Sequence, residues 1–175
     1  VFGMGRIWDE AKNTALLIEV APSIQAPVCI AGDNRFEQNK VAVTGNINFL
    51  GKLSTTEVAE QLAIASVYVL PAKYEPFGLS ALEAALSGCA LVLGDIPSLR
   101  EVWEDAALYC NTDDAQSLAQ TVNELLANES MRTEYSQKAK QKTQQYTTEA
   151  MADNYWQLYQ QTIKQTVLRQ TQEIR

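Results

Sequence analysis

Histidine is absent from all 175 residues. That excludes a Ser-His-Asp triad, a Cys-His dyad, His-based zinc sites and imidazole acid–base chemistry within this chain. Cysteine is scarce: Cys29, Cys89 and Cys110, an odd number, widely spaced, each in an apolar run. This pattern fits neither a C-x-x-C metal or redox motif nor a disulfide framework. It reads as buried, reduced thiols and a cytoplasmic setting. No run reaches the ~18 apolar residues that a membrane span needs, so membrane association is not indicated. There is no Asp-x-Asp metal motif. Gly3-Met-Gly5 is followed by Arg6 and lacks the third glycine of a dinucleotide-binding G-x-G-x-x-G turn. Positive charge is also short, 14 Lys and Arg against 21 Asp and Glu, a net charge of −7. A chain built mainly to grip nucleic-acid backbones is excluded on that balance; a local anion site is not. The chain opens on Val1-Phe2 rather than Met, as expected of a piece of a longer polypeptide.

What is present is alternation. Short apolar runs at Val1–Gly5, Pro27–Ala31, Ile47–Leu50, Val67–Leu70, Ala90–Leu93 and Ala107–Cys110 are apolar on both faces, as strands of a covered parallel sheet are. Helical patterns separate them. Thr14–Ala21 carries Leu16, Leu17 and Val20. Ser54–Ala65 opens with a Ser54/Glu57 capping box, and Leu79–Ser87 closes on Gly88 as a C-cap. After Cys110 the pattern turns helical throughout. Ala115, Leu118, Val122, Leu125 and Leu126 mark one amphipathic helix. Ser130–Tyr146 is a second, and Thr148 onward a third, with Met151, Tyr155, Tyr159, Ile163 and Val167 repeating every four residues. The expected fold is an α/β, Rossmann-like doubly wound parallel sheet of about six strands with C-terminal helices, 1–175 forming a single domain.

Charge divides unevenly along it. Residues 1–129 hold 7 basic against 17 acidic groups, a net of −10, and residues 130–175 hold 7 against 4, a net of +3. The basic tail reads as a solvated helical face. In the acidic part, an anion site has to be built from a few local cations. Arg6 and Lys12 follow the first strand, on the side where doubly wound sheets bind ligands. Both are placed to reach a phosphate pair, or else to pair with Asp9 and Glu10 as surface cations.

The stretch Glu75-Pro-Phe-Gly-Leu79 runs from a strand into a helix. Gly78 at the turn lets a ligand approach the backbone. The helix start offers unpaired amides and the positive end of the dipole to an anion. Glu75 before the helix and Glu83 within it are acceptor-only groups suited to sugar hydroxyls. The alternative is a loop acid and a solvated helix acid. Glu83 lies among Ala81, Leu82, Ala84, Ala85 and Leu86, a setting in which a carboxylate calls for a partner.

In order along the chain stand Gly5-Arg6 with Lys12, Ile30-Ala-Gly32, Phe49-Leu-Gly51, Glu75-Pro-Phe-Gly-Leu…Glu83, and Glu101-Val with Asp105-Ala-Ala-Leu108. This ordered set resembles the donor-binding C-terminal domain of GT-B glycosyltransferases, in the large retaining family of group 1 or family 4 type, and covers nearly the whole chain. The resemblance implies that Arg6 and Lys12 bind the donor diphosphate and stabilise the leaving group. It gives Glu75 the hydroxyls of the transferred sugar and Glu83 those of the ribose. The amides of Phe77, Gly78 and Leu79 are expected to cradle phosphates and sugar, with Gly51 and Lys52 flanking the base. Pro76, where many members carry glycine, has no N–H to offer. The implied partner is a nucleoside-diphosphate sugar, with UDP, GDP and ADP all open. The implied chemistry is metal-independent and uses no cofactor. An acceptor-binding lobe is expected to lie N-terminal to Val1, so that the fragment alone is inactive. The rival readings are a nucleotide-sugar-binding module without catalysis and an unrelated dinucleotide-dependent domain, which the missing third glycine disfavours.

Overall fold

The computed structural model describes residues 1–33 and 45–173, with side chains as far as residue 164. Two compact units divide the chain, Val1–Lys142 and Thr143–Arg175. The first is built on six strands: β1 (Phe2–Met4), β2 (Val28–Ala31), β3 (Ile47–Gly51), β4 (Val67–Leu70), β5 (Ala90–Gly94) and β6 (Leu108–Cys110). They lie in the order β3-β2-β1-β4-β5-β6, and every pair is parallel. Chain order reverses between β1 and β4, which makes their carboxyl ends the switch point of a doubly wound sheet.

The helices of this unit are α1 (Thr14–Val20), α2 (Thr55–Ile64), α3 (Leu79–Leu86), α4 (Pro97–Trp103), α5 (Ala115–Ala127) and α6 (Glu129–Lys142). Helices α1 and α5 bury the stripes that their spacing sets out. Leu16, Leu17 and Val20 of α1 pack with Leu118, Val122 and Leu125 of α5 against Val28, Ile30, Val67, Val69 and Val92 of the sheet. The alternate strand residues Phe2, Tyr68, Leu91 and Leu93 point to the opposite face and are equally buried. Central strands β4 and β5 are buried along their whole length, whereas edge strand β3 exposes Asn48.

Local chemistry fixes the helix ends. Ser54 and Glu57 form the expected reciprocal capping box at α2. The Glu57 carboxyl is held below the usual carboxylate range, first by the Ser54 hydroxyl and then by its amide. Gly88 takes φ +90° after α3. At the end of α5, Arg132 Nη1 donates to the carbonyls of Leu125 and Leu126 at 2.9 and 3.1 Å. Of the thiols, Cys89 and Cys110 are buried and Cys29 half-buried, all free. Burial pushes Cys89 up to about 11 and Cys110 up to about 12.

Two helices differ from expectation by more than a residue or two. The expected second C-terminal helix stops at Lys142, and Thr143–Tyr146 is a separate 3-10 turn in the second unit. Helix α4 was not among the expected elements. Its signal is Pro97 at the first helical turn followed by Leu99, Val102 and Trp103, all buried.

In the second unit, α7 (Thr148–Glu173) follows that 3-10 turn. The Thr147 hydroxyl caps it, accepting from the Ala150 amide at 3.1 Å. Met151, Tyr155, Tyr159 and Ile163 of the four-residue stripe are exposed. The side chain of Val167 lies outside the described residues.

Gly32 is where the backbone geometry is tightest. It ends β2 at φ +148°, and a Cβ there would stand 1.8 Å from the Gly5 carbonyl oxygen. The loops after β1 and β2 touch because no side chain separates them. Gly32→Ala is therefore expected to lower the free energy of unfolding by about 3 kcal/mol, read from urea midpoints. An unchanged midpoint would contradict the contact.

Candidate functional site

Two loops leave the carboxyl ends of β1 and β4 at the switch point. After β1, residues Gly5–Asn13 wind through successive turns. The Asp9 amide donates to Arg6 O and the Lys12 amide to Asp9 O, both at 3.0 Å, and Asp9 Oδ1 accepts from the Ala11 amide at 3.0 Å. Asn13 ends the loop in the left-handed region, φ 53°, a conformation that asparagine tolerates better than most residues. From there its Nδ2 donates to the carbonyls of Pro71 and Thr112, at 2.9 and 2.8 Å. One side chain thus ties the loop after β1 to those after β4 and β6. The amides of Lys73 and Tyr74 add bonds to the Ala11 carbonyl at 2.9 and 3.2 Å.

Lys12 meets Glu75 across these loops in an ion pair between Nζ and Oε2. The side chains are 21% and 13% exposed, so water screens the pair only partly. The other oxygen of Glu75 accepts from the Gly78 amide at 3.0 Å and from the Phe77 amide at 3.4 Å. From α4, the Ser98 hydroxyl donates to the Glu75 carbonyl at 2.6 Å. Burial alone would raise the Glu75 carboxyl. The Lys12 hydrogen bond and charge, then the Gly78 and Phe77 amides, outweigh it and hold the group below the usual glutamate range. Gly78 sits at φ +86° as the N-cap of α3, a turn that glycine makes without strain.

A hollow of about 600 Å³ opens over this switch point. Three cations line it, Arg6, Lys12 and Lys52, together with Glu75 and the chain from Phe77 through Ser80. Most residues expected to form the site therefore come together. Glu83 lines a second hollow of about 430 Å³, which shares Met4, Leu53 and Val58 with the first. It is exposed, so water solvates the carboxylate that the resemblance gives to ribose hydroxyls. Gly51 lines neither hollow; its carbonyl accepts from the Gly32 amide at 2.8 Å.

Two pairings depart from expectation and one follows it. Lys12 takes Glu75 rather than Glu10 as its partner. Arg6 does rest on Asp9, at 2.6 Å, with its guanidinium 5.4 Å from the centre of the Trp8 ring. The Phe77 and Gly78 amides, expected to cradle phosphate, are turned to the Glu75 carboxylate instead. The open amides of the turn are then those of Leu79 and Ser80, in the first turn of α3 and without intrahelical partners. Two supporting residues, Asn13 and Ser98, gave no signal in motif spacing. Each acts on a backbone carbonyl brought close only by the fold.

The family model for glycosyl transferases group 1 matches residues 1–142. The chain belongs to the group 1 glycosyl transferases. Among curated relatives, an N,N'-diacetylbacillosaminyl-diphospho-undecaprenol alpha-1,3-N-acetylgalactosaminyltransferase of Campylobacter jejuni is 32% identical over 123 residues, 69% of this chain and 32% of that protein. The chain thus spans about a third of that relative's length. Among solved structures of similar fold, the sucrose-phosphate synthase of Thermosynechococcus elongatus superposes with a TM-score of 0.80 at 24% identity, over 93% of this chain and 45% of that one. Alr3699/HepE of Anabaena, solved in complex with UDP and glucose, gives 0.71 at 19% identity, over 82% and 43%. The sheet of this group 1 transferase chain is thus that of the GT-B enzymes.

Two measurements check this geometry. Asn13→Ala removes both carbonyl contacts and is expected to cost about 2 kcal/mol of stability; a loss below a few tenths would remove Asn13 from its bridging role. Because the folded Glu75 carboxyl is held low, its contribution is complete above the ordinary glutamate range and fades as pH falls through the folded value. Glu75→Gln should therefore be less stable than the parent at neutral pH, with the gap closing in acid. A gap of constant size from pH 7 to pH 3 would refute the pairing.

Proposed function

We propose that this chain is the donor-binding lobe of a retaining glycosyltransferase that takes a nucleoside-diphosphate sugar. The observation that supports it most is the convergence of Arg6, Lys12 and Lys52 with the open amides of α3 around one hollow, inside a region of net charge −10. An electropositive pocket in an acidic surface suits a compact dianion such as a diphosphate. The adjoining hollow at Glu83 suits the nucleoside arm, whose ribose hydroxyls donate to a carboxylate. UDP and glucose in the Anabaena structure are in keeping with that ligand class.

In this reading Lys12 stays between Glu75 and the diphosphate, and Arg6 swings from Asp9 to the phosphate oxygens. Glu75 turns its carboxylate to sugar hydroxyls while the Leu79 and Ser80 amides face the phosphates. The bond between the anomeric carbon and the diphosphate oxygen breaks, one forms to the acceptor oxygen on the same face of the sugar, and the acceptor hydroxyl's proton passes to the departing diphosphate. Negative charge grows on the departing diphosphate, and preorganised cations and amides stabilise that charge more than the ground state. Positive side chains take the part that a divalent ion plays elsewhere, so the reading calls for no metal and no cofactor. Acceptor binding is assigned to a further lobe, and this chain alone is expected to hold donor weakly and transfer nothing. Free thiols and a nucleotide-sugar donor fit a cytoplasmic protein. Among the described residues no helix is long and apolar enough to cross a membrane.

A nucleotide panel on the 175-residue chain tests the reading. One of UDP, GDP or ADP is expected to raise the melting temperature, and NAD is not. Arg6→Ala and Lys12→Ala should each weaken that binding about tenfold, and each should sharply reduce turnover in the complete transferase. Near-parental binding by both variants would sink the assignment.

A further inference from the structure

Tyr68 lies under the floor of the site, on β4, with 0% of its surface exposed. Its ring packs on Phe2 of β1, centroids 6.2 Å apart. Buried phenols ordinarily find a hydrogen-bond partner, since an unpaired hydroxyl in an apolar setting is costly. The Tyr68 hydroxyl has no partner in hydrogen-bonding geometry. Burial, the dominant influence, pushes its acidity far down, so it keeps its proton at any working pH. The Ser80 hydroxyl and the Met4 amide stand beside it and ease that effect, while the Glu83 and Glu75 carboxylates reinforce it. Every one of these neighbours lines one of the two hollows. The groups that act on this hydroxyl thus all belong to the walls of the two hollows.

Ser80 connects the two. It is the second residue of α3, half-buried, on the wall of the larger hollow. A serine hydroxyl donates one proton and accepts others, so one rotation lets it serve Tyr68 and a ligand together. We infer that Tyr68 is a positioning residue: its hydroxyl donates to Ser80 Oγ, and Ser80 donates onward to an oxygen of the bound nucleoside diphosphate. The inference rests on the proposed nucleotide site. A hydroxyl that accepts a hydrogen bond becomes a better donor, because bonds in a chain polarise one another. The relay closes only when ligand turns Ser80 toward the hollow. Binding then satisfies a proton that the free protein leaves unpaired.

Substitution separates this role from a structural one. Tyr68→Phe, Ser80→Ala and the double variant of the 175-residue chain are titrated with UDP, GDP and ADP by calorimetry, and each ligand-free chain is melted. Tyr68→Phe removes an unsatisfied hydroxyl, so its ligand-free melting temperature should hold or rise. Its Kd for the nucleoside diphosphate that the parent binds should weaken about fivefold. The double variant should bind no more weakly than Ser80→Ala alone, because both act through one chain of bonds. Parental affinity in Tyr68→Phe overturns the relay and leaves the nucleotide site standing. A lowered melting temperature with unchanged Kd also overturns it, as the mark of a purely structural bond. A parent chain that binds none of the three nucleotides overturns the site reading and the relay with it.

Discussion

The ion pair between Lys12 and Glu75 joins residues 63 positions apart, and the geometry of the site depends on it. Strand order sets β1 beside β4, and the loop from each strand supplies one partner. The bonds from Asn13 to Pro71 and Thr112 and from Lys73 and Tyr74 to Ala11 hold the loops in register. Lys12 and Glu75 then face each other over the start of α3. Neither is an isolated buried charge, which would be costly. Because the pair is close to neutral, the positive character of the hollow comes from Arg6, Lys52 and the open end of α3. Arg6 is tethered through an ion pair with Asp9 in which its own side chain is 61% exposed, a contact of small net worth, and through the face of Trp8, so a stronger anion can take it.

The scaffold beneath is rigid for ordinary reasons. Central strands buried on both faces, helices set against each face, and caps at the ends of α2, α3 and α5 leave little freedom at the roots of the loops. Buried aliphatic side chains such as Leu17, Ile30, Leu118 and Leu125 contribute about 1.5–3 kcal/mol each relative to exposure. The loops that carry the chemistry stand on that base and are held by side chain to carbonyl bonds. Such bonds specify position without adding charge to the pocket.

Much of this could be read in the sequence because it follows from local pattern. The apolar runs marked the strands to within a residue or two, since a covered parallel strand has no polar face to blur its limits. Ser54 with Glu57 announced a cap three residues apart, and Gly78 and Gly88 announced backbone turns that few other residues make. Arg6, Lys12 and Glu75 could be placed at strand ends from topology alone. Their partners could not. The choice of Glu75 over Glu10 for Lys12, and the turning of the Phe77 and Gly78 amides to Glu75, are tertiary facts with no signature in spacing. Ser98 went unread with α4, although Pro97 and the buried Leu99, Val102 and Trp103 mark that helix. Glu83 has apolar sequence neighbours, of which Ala81, Ala84 and Ala85 turn inward while Leu86 shares its exposure.

In the proposed binding mode a nucleoside diphosphate seats its phosphates between the loop after β1 and the first turn of α3. Backbone amide shifts followed by NMR during titration with the nucleotide that binds would test this most directly. The account predicts that the largest changes fall on Gly5–Lys12 and on Leu79 and Ser80, with smaller ones at Glu83. Shifts concentrated instead between α1 and α5, around Val20 and Gln120, would contradict it.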